Sequence, residues 1–250
     1  PQTWHAWRDV IPLLAGRSTV IALDLRGLGD SERPATGYDA PTMAEDVYQL
    51  LAQLGHLPAH LVGHDLGGPI AYALAAKYRD AARTLTLIEC PLAGVGELPH
   101  TLPGTSEPLW HFAFHACRDL PEALIAGRER LYLEYFFRHF AYDPAAITPA
   151  DVDEYVRCYS APGALRASFE QYRTMDQTAA FNAEAAKSKL TVPVLALGGA
   201  ASLAGSVLDN ARLVAADVRG GAVARCGHWV PEERPDDLAD RLLAHFAGGT

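Results

Sequence analysis

The 250-residue chain contains no apolar run approaching the length of a membrane span. It is short of positive charge: 21 Lys and Arg stand against 30 Asp and Glu, a net charge of −9. That balance argues against nucleic acid or an anionic membrane as the main partner. Its four cysteines, Cys90, Cys117, Cys158 and Cys226, include no CxxC pair. They read as buried thiols of a reducing compartment. No internal repeat, low-complexity segment or signal-peptide pattern is visible. The chain opens at Pro1 without an initiator Met, so the missing signal pattern weighs little; a cytoplasmic location is favoured, with a secreted or periplasmic one left open. What is there is 49% apolar residues, enough for one sizeable core with a modest insertion.

The stretch that organises the chain is Leu61-Val62-Gly63-His64-Asp65-Leu66-Gly67-Gly68. An apolar run ends in small-x-Asp-x-small, and a helical pattern follows at once. The arrangement resembles the nucleophile elbow of α/β-hydrolases, with Asp65 where esterases carry serine. A sharp strand-to-helix turn strains its central residue, and bulky neighbours would clash. The helix beginning there aims N–H groups at the site, favouring an ionised carboxylate and a developing oxyanion. By itself the string also fits a Gly-rich turn with a surface Asp. His64 reads as structural, facing away from the site. Asp24 and Arg26, in the Gly-broken loop from Asp24 to Ser31, read as an ion pair bracing the fold.

Trp4 to Leu14 reads as an amphipathic helix, Ser18 to Leu23 as a strand and Thr42 to Leu54 as a helix. His60 to Val62 reads as the strand feeding the elbow, Pro69 to Tyr78 as the helix leaving it, and Thr84 to Ile88 as a buried strand. This alternation implies an α/β fold, a mostly parallel sheet flanked by helices. From Pro91 to Ala186 no convincing strand is seen; Leu109 to Cys117, Glu122 to Phe140, Pro149 to Tyr159 and Ala164 to Met175 are helical. The α/β rhythm returns with a strand at Val192 to Leu197, a helix around Ser206 to Ala216, a strand near Ala222 to Arg225 and a helix from Pro235 to Phe246. The expected division is a core of residues 1–90 and 187–250 with an all-helical cap of residues 91–186 over the sheet's carboxyl edge, where ligands bind in open α/β folds.

After the last strand comes Cys226-Gly227-His228-Trp229, a Gly-His pair before the C-terminal helix. That is where a fold of this kind puts a catalytic histidine, last in chain order. A loop histidine capping the helix is the plainer alternative. The base needs an acid on its other ring nitrogen. The loop after the penultimate strand, Gly198 to Gly205, holds none; Asp209 is the first acid beyond it. Glu89, directly after the strand ending at Ile88, is costly there without a partner. Glu89 is therefore the expected acid, with Asp209 second.

These strings, together with Ile88-Glu89-Cys90-Pro91, Leu109-Trp110-His111-Phe112, Leu124-Ile125-Ala126-Gly127-Arg128-Glu129-Arg130 and Ala167-Ser168-Phe169-Glu170-Gln171-Tyr172-Arg173, resemble α/β-hydrolase epoxide hydrolases, most of all the bacterial Cif-type enzymes. The resemblance implies Asp65 as nucleophile, His228 as base and Glu89 as its orienting acid. His111 and Tyr172 would be the ring-opening donors, in place of the two tyrosines of most epoxide hydrolases. The Leu66 N–H would serve the oxyanion hole. An epoxide and water would be the partners, with no cofactor and no metal; a homodimer is compatible with the likeness. Trp110, Phe112 and Phe114 are read as substrate-pocket residues, although core packing would explain them nearly as well. His111 and His115 share a helical face and could be packed core histidines; no third residue suggests a metal site. Tyr132, Tyr135, Tyr155 and Tyr159 compete with Tyr172.

One departure stands out. The family carries a His-Gly-x-Pro turn that completes the oxyanion hole, and Pro1 corresponds to its proline, so the first strands are expected to be missing. A chain truly starting at Pro1 would be inactive or poorly folded. Two other functions fit parts of the pattern. A haloalkane or haloacid dehalogenase shares the Asp nucleophile, but haloacetate enzymes place arginines where Leu66 and Pro69 stand. A non-catalytic ligand-binding α/β-hydrolase would not need the full set of nucleophile, base and acid.

Overall fold

The computed structural model describes residues 1–98, 101 and 109–248. Four parallel strands, β1 (Ala59–His64), β2 (Ala82–Ile88), β3 (Val194–Gly199) and β4 (Val218–Val223), form one sheet in the order β1-β2-β3-β4. Parallel neighbours need crossovers, and helices supply them. Before β1 come a 3₁₀ turn (Trp4–Trp7), α1 (Ile11–Ala15) and α2 (Ala40–Gln53); α3 (Gly67–Lys77) joins β1 to β2, and α10 (Ser206–Val214) joins β3 to β4. After β4 come α11 (Val230–Glu233) and α12 (Pro235–Gly248). Between β2 and β3 lie α4 (Trp110–Ala116), α5 (Leu120–Ile125), α6 (Glu129–His139), α7 (Pro149–Tyr159), α8 (Ala164–Arg173) and α9 (Met175–Ala185).

The central strands are apolar throughout because both faces are covered. Leu85, Leu87, Val194 and Ala196 pack in one core with residues of α2, α3 and α10. Their alternates Ile88, Leu195 and Leu197 pack on the other side with α1 and α12. Aromatic residues of α6 and α7 make a third cluster, which takes in Trp229.

The structure corrects several expectations. Ser18 to Leu23 joins no ladder, although Val20 and Ile21 pack against the two main cores. Apolar, β-branched content brings no backbone partner here: the segment is half-buried, with Thr19 exposed, and it lines a cavity together with β1. Trp4 to Leu14 is not one helix: the 3₁₀ turn capped by Thr3 ends at Trp7, and α1 starts afresh with Pro12 in its first turn. Glu122 to Phe140 is split at Gly127, whose φ of 78° breaks the helical path. Arg26 pairs with Asp46, at 2.7 Å through both Nε and Nη2, and not with Asp24. Asp24 instead accepts the N–H groups of Trp4 and Asp30. Cys90, Cys158 and Cys226 are buried free thiols, but Cys117 is exposed.

The elbow fits the reason for its glycines. A Cβ on Gly63 would sit 2.4 Å from the Gly67 carbonyl oxygen, and one on Gly68 would collide with Cys90 Sγ. The strand and the helix can pass this closely only without side chains there. Gly63→Ala is therefore expected to destabilise the protein by about 1–3 kcal/mol, as overpacking against fixed backbone does. Urea unfolding would measure it, and a change within error would disprove the close-packing account.

Candidate active site

Two non-glycine residues with left-handed backbone follow directly on adjacent strands: Asp65 after β1, with φ 49°, and Glu89 after β2, with φ 51°. Such φ values are costly and persist where surrounding structure enforces them. Here the ladder does so: His64 pairs with Ile88, the Asp65 N–H donates to the Ile88 carbonyl at 3.0 Å, and the Glu89 N–H to the Leu197 carbonyl at 2.9 Å. Both acids thus leave the sheet at the same edge.

His228 stands between them. Its Nδ1 donates to Glu89 Oε2 at 2.9 Å, and its Nε2 lies 3.7 Å from Asp65 Oδ2. Glu89 is buried and saturated: Oε1 accepts the Gly199 N–H at 2.7 Å and the Leu203 N–H at 3.2 Å, and Oε2 also accepts the Ser202 hydroxyl at 2.6 Å. The expected acid is therefore the one in contact. Asp209 lies in α10, largely exposed, 3.1 Å from Arg212.

The charges are mutually supported. Burial disfavours the Asp65 carboxylate, yet His228 outweighs it and holds the carboxyl below its ordinary value. Burial likewise pulls the His228 imidazole down, but Asp65 and Glu89 outweigh it and raise its pKa from 6.5 to about 9. The resting site is thus an imidazolium between two carboxylates.

The supports of His228 were not evident from sequence. His64, expected to face away, is buried beneath the site. Its Nε2 donates to the His228 carbonyl at 2.8 Å, and the two rings lie 5.0 Å apart. Burial lowers its pKa to about 3, so it stays neutral. Buried Glu233 accepts the Gly227 and Trp229 N–H groups through Oε1 and those of Tyr142 and Asp143 through Oε2. The His228 N–H donates to the Phe140 carbonyl at 2.8 Å. The histidine loop is thereby stitched to the segment after α6. A buried pair of acids following Trp229, Glu232 and Glu233, is the only sequence signal that could have pointed there.

A cavity of about 880 Å³ opens over Asp65, and Leu66, His111, Phe112 and Tyr172 also line it. The Ser18 to Leu23 segment and β1 line it together. The rings of His111 and Tyr172 lie 6.2 Å apart, edge to face, and both groups feel the charge of Asp65. Burial lowers the His111 pKa to about 4 and raises that of Tyr172 well above its ordinary value, so both are neutral donors. His111 Nδ1 is sealed without a hydrogen-bond partner. The Leu66 N–H makes no hydrogen bond among the described residues. Trp110 and Phe114, expected at the pocket, are not on its wall. They sit one helical turn apart with rings 5.7 Å from each other, on a different face of α4 from His111 and His115. His115 packs at 4.4 Å against both Phe169 and Tyr172, and it hydrogen-bonds Tyr132. Of the other tyrosines, Tyr132 and Tyr159 reach the wall, whereas Tyr155 donates to Glu232 at 2.6 Å. Among the described residues no group of three or more His, Cys, Asp or Glu is placed to hold a metal ion.

The raised His228 pKa has a thermodynamic sign. A histidine binding its proton more tightly when folded contributes stability in full below about pH 6.5, and that contribution fades as pH rises through about 9. Denaturation of wild type and His228→Gln across this range is expected to show a gap that narrows with rising pH. A gap constant over the range would contradict the imidazolium.

Residues 1–235 match the family model described as the alpha/beta hydrolase fold. A soluble epoxide hydrolase from Corynebacterium sp. (strain C12) is 41% identical over 251 residues, spanning 99% of this chain and 87% of that protein. The crystal structure of Cfl2 from Burkholderia cenocepacia superposes with a TM-score of 0.92 at 40% identity, covering 98% of this chain and 85% of the other. A fluoroacetate dehalogenase from Burkholderia sp. is 29% identical over 259 residues, covering 98% of this chain and 84% of its own. No helix among the described residues is long and apolar enough to cross a membrane. An aspartate at the elbow, a histidine between two acids and this degree of likeness lead to one conclusion: the chain belongs to the α/β-hydrolase fold family, among its epoxide hydrolases.

Proposed function

We propose that the protein opens an epoxide to a vicinal diol through a hydroxyalkyl ester on Asp65, with residues 91–186 acting as the cap over a core of residues 1–90 and 187–250. The observation that carries this reading is the Asp65 carboxylate, ionised and beside His228, facing one cavity with two neutral donors, His111 and Tyr172.

The chemistry follows from the charges. An epoxide carbon is attacked in line by a carboxylate that needs no prior deprotonation. As the C–O bond breaks, the alkoxide takes a proton from Tyr172 while His111 donates a hydrogen bond to the same oxygen. With His111 Nδ1 sealed, Nε2 is the nitrogen that carries the proton toward the cavity. The tyrosinate, made strongly basic by burial, recovers a proton from the His228 imidazolium. Ester formation has by then removed the Asp65 charge, one of the two influences that raised the His228 pKa, so the imidazole is freed as a base. It deprotonates a water that attacks the ester carbonyl, and the Leu66 N–H steadies the oxyanion. Collapse returns the Asp65 carboxylate and the diol.

The dehalogenase alternative loses support from the cavity wall. Among the described residues lining it there is no Lys or Arg side chain to grip a substrate carboxylate, and Leu66 and Pro69 stand just after the nucleophile. Fluoride or chloride release from a haloacetate at rates comparable to epoxide opening would reverse this ranking. A reversible ligand receptor would leave Asp65 unmodified.

A single turnover in ¹⁸O water should place the label in the Asp65 carboxyl group and leave the first diol unlabelled. His228→Gln should accumulate the ester, visible as a mass increment on the peptide containing Asp65. Label in the first diol, or no adduct in that variant, would refute the ester route. Tyr172→Phe is expected to slow ester formation by roughly a hundredfold, the usual cost of one oxyanion donor. Stopped-flow kinetics would read it, and an unchanged rate would remove Tyr172 from the proposed role.

A further inference from the structure

One helix face on the cavity wall carries a polar group that the proposed mechanism does not use. Leu165, Ser168, Gln171 and Tyr172 of α8 and the following Met175 all line the cavity, spaced at three and four residues. Several other polar side chains on the wall have protein partners. The Ser168 hydroxyl donates to the Leu165 carbonyl at 2.8 Å, Thr178 Oγ1 accepts the Ala40 N–H at 3.0 Å, and the Tyr159 hydroxyl donates to the Gln2 carbonyl at 3.4 Å.

Gln171 differs. It is 6% exposed, yet neither atom of its amide hydrogen-bonds to any described residue. The amide is not among the unpartnered side-chain atoms sealed from open space, and the residue lines the cavity. A buried amide left unpaired is costly, and the cost is recovered when a ligand supplies the missing bonds.

We propose that Gln171 selects the substrate, accepting a hydrogen bond from and donating one to a neutral hydroxyl substituent carried by the epoxide on an otherwise apolar chain. The proposal rests on the epoxide-opening reading and narrows its substrate class. A primary amide offers one acceptor and two donors, which suits a group that is itself uncharged. No Lys or Arg side chain stands on the described wall, and the Asp65 charge disfavours an anionic substituent. Because Gln171 precedes Tyr172 on the same helix, such a bond would also fix how far the ring sits from the donor that takes its oxygen. A site built to pair with a substrate hydroxyl discriminates strongly against the analogue lacking it.

The test compares a straight-chain terminal epoxide with its isosteres bearing one hydroxyl at successive positions along the chain. In the wild type, kcat/KM should peak at one hydroxyl position, roughly tenfold above the unsubstituted epoxide. Gln171→Met, similar in length but unable to make these bonds, should bring that ratio close to one. The ratio is taken within each variant, so a partial loss of folded protein cancels; if the variant does not fold, the wild-type profile decides alone. Turnover of the whole series with no favoured position, or a preference that survives Gln171→Met, overturns the proposal while leaving epoxide opening intact. If the wild type turns over none of the series and no Asp65 ester forms, the epoxide reading fails and takes this proposal with it.

Discussion

Everything at the site depends on one imidazole held between two carboxylates. His228 lies 2.9 Å from Glu89 and 3.7 Å from Asp65, with Glu89 fully enclosed. Burying two acids near one another would be prohibitive without a cation between them. Three donors besides the histidine hold Glu89, so its negative charge is fixed in place. Asp65, by contrast, leans on His228 and faces open space. That asymmetry suits the two roles proposed for them: Glu89, held by four donors, orients, and Asp65, with one face open, reacts.

The scaffold supports this through short-range geometry. The tight elbow exists because Gly63 and Gly68 leave no side chain between strand and helix. The histidine loop is pinned by Glu233 and His64. The helical residues overhead contribute mostly aromatic surface, so the few polar groups there are conspicuous. His111, Tyr172 and Gln171 are neutral groups in a wall without Lys or Arg among its described residues. A low-dielectric chamber of this sort strengthens each hydrogen bond made inside it.

Much of this was legible in the sequence, for a definable reason. Asp65, Glu89 and His228 each sit at a turn whose signal is local: an apolar strand, then small residues or an abrupt acid. Ile88 followed by Glu89 told of a carboxylate needing a partner, and the structure provides one. What escaped depends on which face a side chain takes or what lies across the fold. Trp110 and Phe114 have the composition of pocket residues but point away from the cavity. Ser18 to Leu23 has the composition of a strand but no ladder. Arg26 has acids nearby in sequence yet reaches Asp46 in α2. Glu233 and Gln171 carry no pattern that marks an acid bracing a loop or an amide left unpaired.

Glu89 receives its N–H bonds from Gly199 and Leu203, at the end of the neighbouring strand and in the loop beyond it. The negative charge is thus shared between two chain segments, one bearing it and the other supplying its donors. Removing either part would leave buried groups unpaired, so the two strand ends are tied to each other as firmly as Glu89 is tied to the histidine.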